Sequence, residues 1–300
     1  MELRSLRYFV TLAEELHFGR AAKRLSMTQP PLSQAISGLE RELGVRLFER
    51  TRRRVALTHA GAAFLEEARA TLARAAKAVE LAQRAERGEV GRLAIGYLAA
   101  TAYSLLPLVL RDFSHGFPGV RLELRELTLP QQLEALRRGD VEVGLLRPPV
   151  PDAELEFETI LEEPFVVALP ASHPLAALKR VPAQRLASEP FVIFPRQPGL
   201  VYHDLVMGFC LKNGFTPRVA QEANQTHTVV GIVSAGIGVA LVPASAQKMG
   251  LAGVAFRPLR EATPASRTAV AWRRLDSSPV VKAFLDVTRR VAKQVNSAAS

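Results

Sequence analysis

The spacing of apolar residues changes near Gly88, and this change limits the possible folds more than any other feature of the chain. Before Gly88 the apolar side chains recur every three or four residues, the spacing of helices that bury one face. From Arg92 onward, short apolar runs of strand length alternate with helical stretches, which predicts an open α/β sheet. We therefore predict an all-α N-terminal part followed by a larger α/β part, and 300 residues suit two domains.

The first forty-four residues predict three helices separated by short breaks. The first helix is indicated by apolar residues at helical spacing, namely Leu3, Leu6, Phe9, Val10, Ala13 and Leu16. A second short helix fits residues 20–25. The third would run from Gln29, behind Thr28 as its N-cap, to Leu43, and Gly44 would end it. Its inward side would carry Leu32, Ile36, Leu39 and Leu43.

Two short helices, a tight turn and an amphipathic third helix are the pattern of a helix-turn-helix, whose recognition helix enters the DNA major groove. Short polar side chains able to reach base edges lie on the outward side of the third helix, at Gln29, Ser33, Gln34 and Ser37. After it, two apolar-rich strands between Val45 and Leu57 flank an arginine cluster, which predicts a hairpin wing directed at phosphates or a minor groove. The cluster consists of Arg50, Arg52, Arg53 and Arg54.

Each of these features also has a simpler interpretation. Three helices can form a purely structural bundle, and a run of arginines is often only a solvated surface. Residues 1–88 contain sixteen Lys/Arg and ten Asp/Glu, and so carry +6 of the chain's net +10. Basic helices, a turn, a polar third helix and an arginine wing in that order favour nucleic acid as the partner.

Five segments of this part resemble the N-terminal signature of LysR-type transcriptional regulators. They are residues 6–9 (LRYF), 18–25 (FGRAAKRL), 28–33 (TQPPLS), 39–50 (LERELGVRLFER) and 57–61 (LTHAG). The resemblance implies that the start of the third helix and the wing face DNA. The predicted DNA-contacting set is Gln29, Pro30, Pro31, Ser33, Gln34, Ser37, Arg50, Arg52 and Arg53. Many relatives carry Arg where this chain has Gln34, and because Gln prefers adenine and Arg guanine, the base preferred there stays open.

An alanine-rich stretch after the wing predicts one long helix from Thr58, its N-cap, to Arg87, with Gly88 ending it. Apolar residues in steps of three and four give this helix a heptad-like seam, from which we predict dimer contacts at Leu65, Ala68, Leu72, Ala75 and Val79. The seam fits either the chain's own body or a partner helix, and its small residues favour the partner. The resemblance implies an antiparallel linker-helix dimer, usually assembled into tetramers. A two-fold dimer would read the two half-sites of an interrupted dyad.

Seven strand candidates and five helix candidates alternate from Arg92 to the C-terminus. The strand candidates are residues 93–98, 120–127, 141–146, 165–169, 191–194, 238–242 and 267–272. The helix candidates are residues 105–113, 131–138, 202–213, 227–235 and 280–295. Two proline-bearing segments, 162–164 and 261–264, are candidates for crossovers between two lobes. We place a winged helix-turn-helix domain at 1–58, a linker helix at 59–88 and an effector domain at 89–300, with lobe I at 89–161 and 266–300 and lobe II at 162–265.

The LysR resemblance continues more weakly through this second part. It lies at residues 91–96 (GRLAIG), 106–107 (LP), 139–140 (GD), 171–175 (ASHPL) and 235–243 (AGIGVALVP). It implies an effector domain of two α/β lobes similar to periplasmic binding proteins, with a small molecule between the lobes. The details resemble the branch of the family that responds to benzoate or muconate.

Ligands of α/β sheets bind at the carboxyl ends of the strands, and the residues that follow the predicted strands give an effector-contacting set. The set is Ala100, Thr101, Thr128, Leu129, Arg147, Arg196, Tyr202, Gln225, Thr226 and His227. Arg147 follows a strand directly and would clamp an anion with two nitrogens, although a surface cation is an alternative. Thr101 and Thr226 also fit helix caps, and His227 also fits a surface or capping histidine. Relatives that respond to muconate carry hydroxyl residues where this chain has Ala100 and Leu129, so the identity of the ligand stays open.

The sequence contains few features of an enzyme, a metal or dinucleotide site, or a solute receptor. It contains no Gly-x-Ser-x-Gly elbow, and its six histidines are scattered without the spacing of a metal motif, so we predict neither an enzyme nor a cofactor nor a metal. The segment 236–238 lacks the third glycine of a dinucleotide site. The single cysteine, Cys210, excludes an intrachain disulfide and suggests packing, with redox sensing as the alternative. A solute-binding receptor would leave the N-terminal sixty residues unexplained, and an architectural DNA binder would leave the two-lobed α/β domain unexplained.

These patterns together predict a cytoplasmic transcriptional regulator, an activator by family habit, controlled by a small anionic metabolite that is aromatic or a diacid. Its partners would be double-stranded DNA, further copies of itself in a dimer or tetramer, and RNA polymerase. No apolar run approaches the length of a membrane span, and the first residues lack the pattern of a secretory leader, so we expect no membrane partner.

Overall fold

The computed structural model describes residues 1–51, 54–150, 152–196 and 201–299. The chain divides into two units, Met1–Arg84 and Ala85–Ser300. The first unit contains helices α1 (Leu3–Glu15), α2 (Phe18–Arg24) and α3 (Gln29–Leu43), a hairpin of β1 (Phe48–Arg50) and β2 (Val55–Leu57), and most of the long helix α4 (His59–Glu86). The bounds predicted for the third helix are confirmed, because Gly44 ends it in the left-handed conformation with φ 72°.

Phe9 is the centre of the core of this first unit. Its fully buried ring lies 5.4 Å from the ring of Phe48 on β1 and 5.0 Å from that of Phe64 on α4. The inward side chains of α3, Leu32, Ile36 and Leu39, are buried in the same cluster. The helices and the hairpin therefore share one core, which fixes the orientation of α3.

Two details of the first helices differ from the sequence expectations. Leu12 is buried, whereas Leu3, the first residue of α1, and Leu16 remain 48% and 45% exposed. Leu16 caps α1 in a left-handed conformation and so leaves the helical face. Helix α2 begins at Phe18 and not at residue 20. The reason is His17, whose Nδ1 accepts hydrogen bonds from the N–H groups of Gly19 at 3.0 Å and Arg20 at 3.3 Å.

The start of α4 is anchored to the strand segment before the wing. As predicted, Thr58 caps this helix, since its hydroxyl oxygen accepts from the Gly61 N–H at 2.9 Å. The same hydroxyl donates to the carbonyl of Arg46 at 2.7 Å. A Cβ atom on Gly61 would lie 2.0 Å from the carbonyl oxygen of Leu47, so only glycine allows this approach.

The second unit alternates strands and helices and confirms the α/β fold class. Its strands are β3 (Val90–Tyr97), β4 (Gly119–Glu126), β5 (Val143–Leu146), β6 (Leu155–Pro170), β7 (Pro190–Ile193), β8 (Arg218–Glu222), β9 (Ala240–Pro243), β10 (Val254–Pro258) and β11 (Ala265–Arg273). Its α-helices are α5 (Leu106–Gly116), α6 (Leu129–Arg138), α7 (Tyr202–Lys212), α8 (Thr226–Ser234) and α9 (Pro279–Ala299).

One strand, β6, carries the chain from the first lobe to the second. The sheet order is β10-β6-β11-β5-β3-β4, with β9 also pairing with β6. Residues 155–164 of β6 pair with β11, and residues 165–170 pair with β9 and β10. The chain returns through β11, whose Ala265 pairs with Pro164, and the Thr263 hydroxyl accepts from the Phe165 N–H at 3.0 Å. We use lobe I for β3–β5, α5, α6, α9 and their share of β6 and β11, and lobe II for the remainder.

Three strand segments were missing from the sequence prediction, namely β8, β10 and the first ten residues of β6. All five residues of β8 are exposed, and no residue of β10 is fully buried. The first part of β6 mixes exposed glutamates with buried apolar residues. Such segments give no continuous apolar run, and their backbone pairing instead defines them.

Each lobe has its own core. That of lobe I contains Leu93, Ile95, Val109, Phe113, Val143 and Phe284, between the sheet, α5 and α9. That of lobe II contains Phe165, Val167, Phe191, Phe209, Val229 and Leu241. Among the described residues, no helix is long and apolar enough to cross a membrane.

Candidate functional site

The outward side of α3 presents most of the residues predicted to contact DNA. While Leu32, Ile36 and Leu39 point into the core, Gln29, Pro30, Pro31 and Gln34 are exposed, and Ser33 and Ser37 are half-buried. Two prolines in the first turn leave that turn without two backbone donors, which a helix start does not need. The polar residues of this surface can hydrogen-bond to base edges in a major groove.

Arg50, also predicted to contact DNA, makes contacts with α2 and α3. Its Nη2 donates to Glu40 Oε2 at 2.6 Å, its Nη1 lies 3.4 Å from Ser37 Oγ, and its guanidinium carbon lies 5.2 Å from the centre of the Phe18 ring. Arg50 is therefore engaged with protein groups beside α3. The wing residues Arg52 and Arg53 lie outside the described residues.

The seam predicted on α4 has two different halves. Ala68 is buried, and Leu65 and Leu72 pack against the core of the first unit, as the alternative interpretation of the seam anticipated. Further along, Ala75 is half-buried and Val79 is 59% exposed. The apolar surface open to a partner helix therefore lies in the second half of α4.

A cavity of about 390 Å³ lies between the two lobes. Lobe I contributes the segments after β3, β4 and β5, and lobe II contributes the segments after β7 and β8. Seven predicted effector residues line the cavity, namely Ala100, Thr128, Leu129, Arg147, Tyr202, Gln225 and Thr226. Of the other lining residues, Ala99, Leu127 and Val201 lie in the strand-end segments expected to line the cleft, and the prediction missed Leu98, Glu126, Pro130, Gln131, Phe194 and Asn224. The rule that ligands bind at the carboxyl ends of strands was therefore a sufficient signal for most of them.

Arg147 and Tyr202 face each other in this cavity. The Arg147 guanidinium carbon lies 4.0 Å from the centre of the Tyr202 ring, and the rings of Phe165 and Phe194 contact Tyr202 edge-on. The Arg147 Nε is buried and has no hydrogen-bond partner in the part of the chain that the structure describes. A buried donor without a partner is unfavourable, so a shift of the surrounding side chains that brings an acceptor to this nitrogen would stabilise the site.

Tyr202 is a neutral phenol at ordinary pH. Burial raises its pKa, and this effect opposes the nearby Arg147 charge, which lowers it. Its hydroxyl lies 2.5 Å from the Ser266 Oγ at the start of β11. The ring is thereby held at the junction of the two lobes.

Glu163 is a half-buried carboxylate on β6 whose pKa is affected by the charge of Arg147. Its oxygens accept from the Ser245 N–H at 2.6 Å and from the Ser245 hydroxyl at 2.9 Å. Burial nevertheless raises the pKa of Glu163 above 4.5, while the Ser245 hydrogen bonds and the Arg147 charge act in the opposite direction.

Gln132 ties together the ends of β4 and β5 beside the cavity and was missed by sequence reasoning. Its fully buried amide nitrogen lies 3.2 Å from the carbonyl of Leu127 and 3.3 Å from that of Leu145, at the ends of β4 and β5. Thr128 begins α6, and its N–H and hydroxyl both donate to Gln131 Oε1 at 2.9 Å. A polar residue on the inward side of a predicted helix was the available signal.

Three predicted effector residues are not among those that line the cavity. Thr101 lies inside the short 3-10 helix Ala99–Tyr103, and its hydroxyl donates back to the Leu98 carbonyl at 2.7 Å, so it does not cap that helix. The side chain of Arg196 is 82% exposed and lies 3.8 Å from Asp204. His227 is exposed, with its Nδ1 3.5 Å from the Tyr103 hydroxyl of lobe I.

The described parts of the chain contain no group of three or more His, Cys, Asp or Glu side chains that could hold a metal ion. The cavity is lined by one arginine, one carboxylate (Glu126), a neutral phenol, threonine hydroxyls, side-chain amides and apolar residues. Its arginine and apolar walls can hold a small anion with an apolar body, bound away from Glu126.

Comparison with known proteins agrees with both units. Residues 3–62 match the family described as "Bacterial regulatory helix-turn-helix protein, lysR family", and residues 86–293 match "LysR substrate binding domain". The regulator AlsR of Bacillus subtilis (strain 168) is 42% identical over 289 residues, which covers 96% of this chain and 95% of AlsR.

Solved structures extend this likeness. The LysR family transcriptional regulator CbnR matches with a TM-score of 0.90 and 31% identity over 96% of this chain and all of that chain, and CbnR complexed with its target DNA matches with 0.86. The BenM effector binding domain with its effector benzoate matches with a TM-score of 0.62 and 26% identity, over 70% of this chain and 96% of that chain. The chain therefore belongs to the LysR family, and it is a DNA-binding transcriptional regulator with a small-molecule effector domain and not an enzyme.

Proposed function

We propose that this regulator activates transcription in response to a small anionic metabolite, aromatic or a diacid, bound between lobes I and II. The observation that carries the proposal is that Arg147 lines the cavity and that its buried Nε has no hydrogen-bond partner among the described residues. A carboxylate supplies the acceptor that this nitrogen lacks, and a charge-assisted pair is stronger than a neutral hydrogen bond.

The rest of the cavity supports a ligand with an apolar body. Ala100, Leu129 and Phe194 line it, and its volume falls in the range of about 300–1,000 Å³ typical of small-molecule sites. BenM, whose effector domain was solved with benzoate, is similar to this chain over the same unit. Thr128, Gln225 and Thr226 would orient the polar end of the ligand, and Thr101, Arg196 and His227 would act, if at all, at the rim.

On DNA, we propose that α3 reads base edges through Gln29, Pro30, Pro31, Ser33, Gln34 and Ser37, while Arg52 and Arg53 in the wing contact a groove or phosphates. Two copies, joined along the open half of α4, would read an interrupted dyad, and two dimers would form a tetramer. Activation rather than repression follows the family habit that the sequence resemblance implies, with RNA polymerase as the partner.

Coupling between the two sites requires that the ligand bind one arrangement of the protein better than another. A ligand that pairs with Arg147 acts where lobe I meets Tyr202 of lobe II, so it can change the free-energy difference between lobe arrangements. The same free-energy difference would then alter the spacing of the DNA-binding heads.

The test is a thermal-shift measurement with benzoate and with cis,cis-muconate on the wild-type protein and on Arg147→Gln. At one hundred times its dissociation constant, a ligand should raise the free energy of unfolding by about 2.7 kcal/mol. We expect stabilisation of the wild type, none of Arg147→Gln, and none by neutral benzamide. Arg111→Gln, which removes an exposed arginine paired with Asp112, is the matched control and should behave as wild type.

Equal stabilisation of wild type and Arg147→Gln by a carboxylate would place the anion elsewhere and refute the role of Arg147. Stabilisation by benzamide and not by benzoate would refute an anionic effector.

A further inference from the structure

The wing and the recognition helix are joined by the carboxylate of Glu40. Its Oε1 accepts from the N–H groups of Leu47 at 2.9 Å and Phe48 at 3.1 Å, and its Oε2 accepts from Arg50 Nη2 at 2.6 Å. The Glu40 side chain lies in the last turns of α3 and is only 14% exposed. Three donors from the segment that enters and forms β1 therefore converge on one side chain of α3.

On the side of the wing, Arg50 makes the side-chain contact with Glu40. The Arg50 side chain keeps 30% of its surface exposed, and its other terminal nitrogen lies 3.4 Å from the Ser37 hydroxyl. Its guanidinium stacks over Phe18 at the start of α2. The Arg50 guanidinium, which the sequence pattern predicted to contact DNA, is thus bonded to groups of the protein itself.

The wing depends on hydrogen bonds to the rest of the domain because its own hairpin is small. β1 and β2 contribute three paired residues each, and an isolated two-stranded hairpin is marginally stable in water. Phe48, packed on Phe9, holds the base of β1, but a ring in a core fixes the angle of a strand less well than directed hydrogen bonds. Glu40 therefore adds directed hydrogen bonds between α3 and the entry of the wing, beside the Thr58 contact that anchors the same segment to α4.

We propose that Glu40 is a positioning residue that holds the wing at a fixed distance and angle from α3, and that Arg50 acts through Glu40 and not on DNA. A recognition helix and a wing that engage DNA together must be preorganised, because ordering a mobile wing during binding lowers affinity. The proposal removes Arg50 from the DNA-contacting set and adds Glu40 as a determinant of specificity.

The test is a double-mutant cycle of Glu40→Gln and Arg50→Gln, measured as affinity for a duplex that the wild-type protein has selected from a random pool, and for random duplex. Glu40→Gln keeps an oxygen for the Leu47 and Phe48 N–H groups and removes only the charge that holds Arg50. Glu42→Gln, which removes an exposed carboxylate from the same helix, is the control for net charge.

We expect each single variant to lose specific affinity by at least about fivefold. The double variant should lose no more than the single variant with the larger loss, because the effects of coupled neighbours are not additive. Affinity for random duplex should change as little as in Glu42→Gln. Hydroxyl-radical protection in the flank contacted by the wing should weaken in all three variants.

A direct contact between Arg50 and phosphate makes a different prediction. Arg50→Gln would then lower affinity by the same factor in both backgrounds, and the slope of log affinity against log salt would fall by about 0.9 in both. That result overturns the proposal. A lowered melting temperature with unchanged specific affinity also overturns it, since Glu40 would then be structural only. If Glu40→Gln does not fold, Glu40→Asp, which keeps the charge but withdraws it by one methylene, takes its place in the cycle with the same expected non-additivity.

Discussion

The guanidinium carbon of Arg147 lies 4.0 Å from the centre of the Tyr202 ring, and the two residues come from opposite lobes. Arg147 follows β5 of lobe I, and Tyr202 begins α7 of lobe II. A cation over a desolvated aromatic ring contributes about 0.5–2 kcal/mol. The contact stabilises one arrangement of the lobes, and any anion that binds Arg147 acts directly on it.

Alanine at Ser33 and Gln34 should weaken binding to the selected duplex by about 1–3 kcal/mol for each lost base contact. Both side chains lie on the surface of α3 turned away from the core, so the fold should persist. Affinity for random duplex should stay unchanged, because phosphate contacts supply it. Titrations of both duplexes at one salt concentration measure the two effects, and an equal loss on both would contradict base reading by these residues.

Phe9→Ala should lower the free energy of unfolding of the first unit by about 3–5 kcal/mol, since the ring is fully buried between Phe48 and Phe64. The measurement is urea unfolding followed by circular dichroism. Leu3→Ala, at a half-exposed position on the same helix, is the control and should change the value by no more than about 0.5 kcal/mol. A loss at Leu3 as large as that at Phe9 would mean that the core is wrongly assigned.

Stability should depend on pH through Glu163. Its folded-state pKa is raised above 4.5 by burial, so between that ordinary value and the raised one the folded state binds a proton that the unfolded state lacks. The free energy of unfolding must therefore fall as pH rises through this window. Glu163→Gln should remove the dependence, and its stability relative to wild type should increase with pH across the window.

The measurement for Glu163 is urea unfolding of both proteins at a series of pH values from 4.5 upward. Glu162→Gln, at the exposed neighbouring position, is the control and should follow the wild-type pH profile. Parallel curves for wild type and Glu163→Gln would contradict a raised pKa.

Cys210 should be unreactive in the native protein. Its side chain is fully buried on α7, and burial raises the pKa of the thiol to about 12, so the reactive thiolate is scarce at neutral pH. A colorimetric disulfide reagent should label it at pH 8 only after unfolding in urea. Rapid labelling of the folded protein would instead support the redox role that the sequence left open.

The helical part of the fold was predictable because its signals are local. Helix α3 begins at Gln29 and ends before Gly44 because caps and apolar spacing are written in adjacent residues. The strand that the prediction missed depends on backbone pairing with residues far away in the chain. The five exposed residues of β8 become a strand only by pairing with β7, and His17 caps α2 through a ring nitrogen, a use that common cap patterns do not include.

The candidate site divides in the same way. Arg147, Thr128 and Leu129 were predictable because each follows a predicted strand, and ligands of open sheets bind at the carboxyl ends of the strands. The partner of Arg50 was not predictable, since Glu40 and Arg50 are ten residues apart on different elements. Residue type alone favoured DNA for an arginine in the wing, and only the folded geometry assigns it to the carboxylate.

The measurement that tests the account most directly is a DNase footprint on the selected duplex, with and without the carboxylate that gives the larger thermal shift. For the wild-type protein at saturating ligand, the account predicts a change in the extent or spacing of the protected region. Arg147→Gln should bind the duplex with wild-type affinity and give the ligand-free footprint at every ligand concentration. Identical wild-type footprints with and without saturating ligand, or an equal ligand response from Arg147→Gln, would contradict control of DNA binding through the cavity.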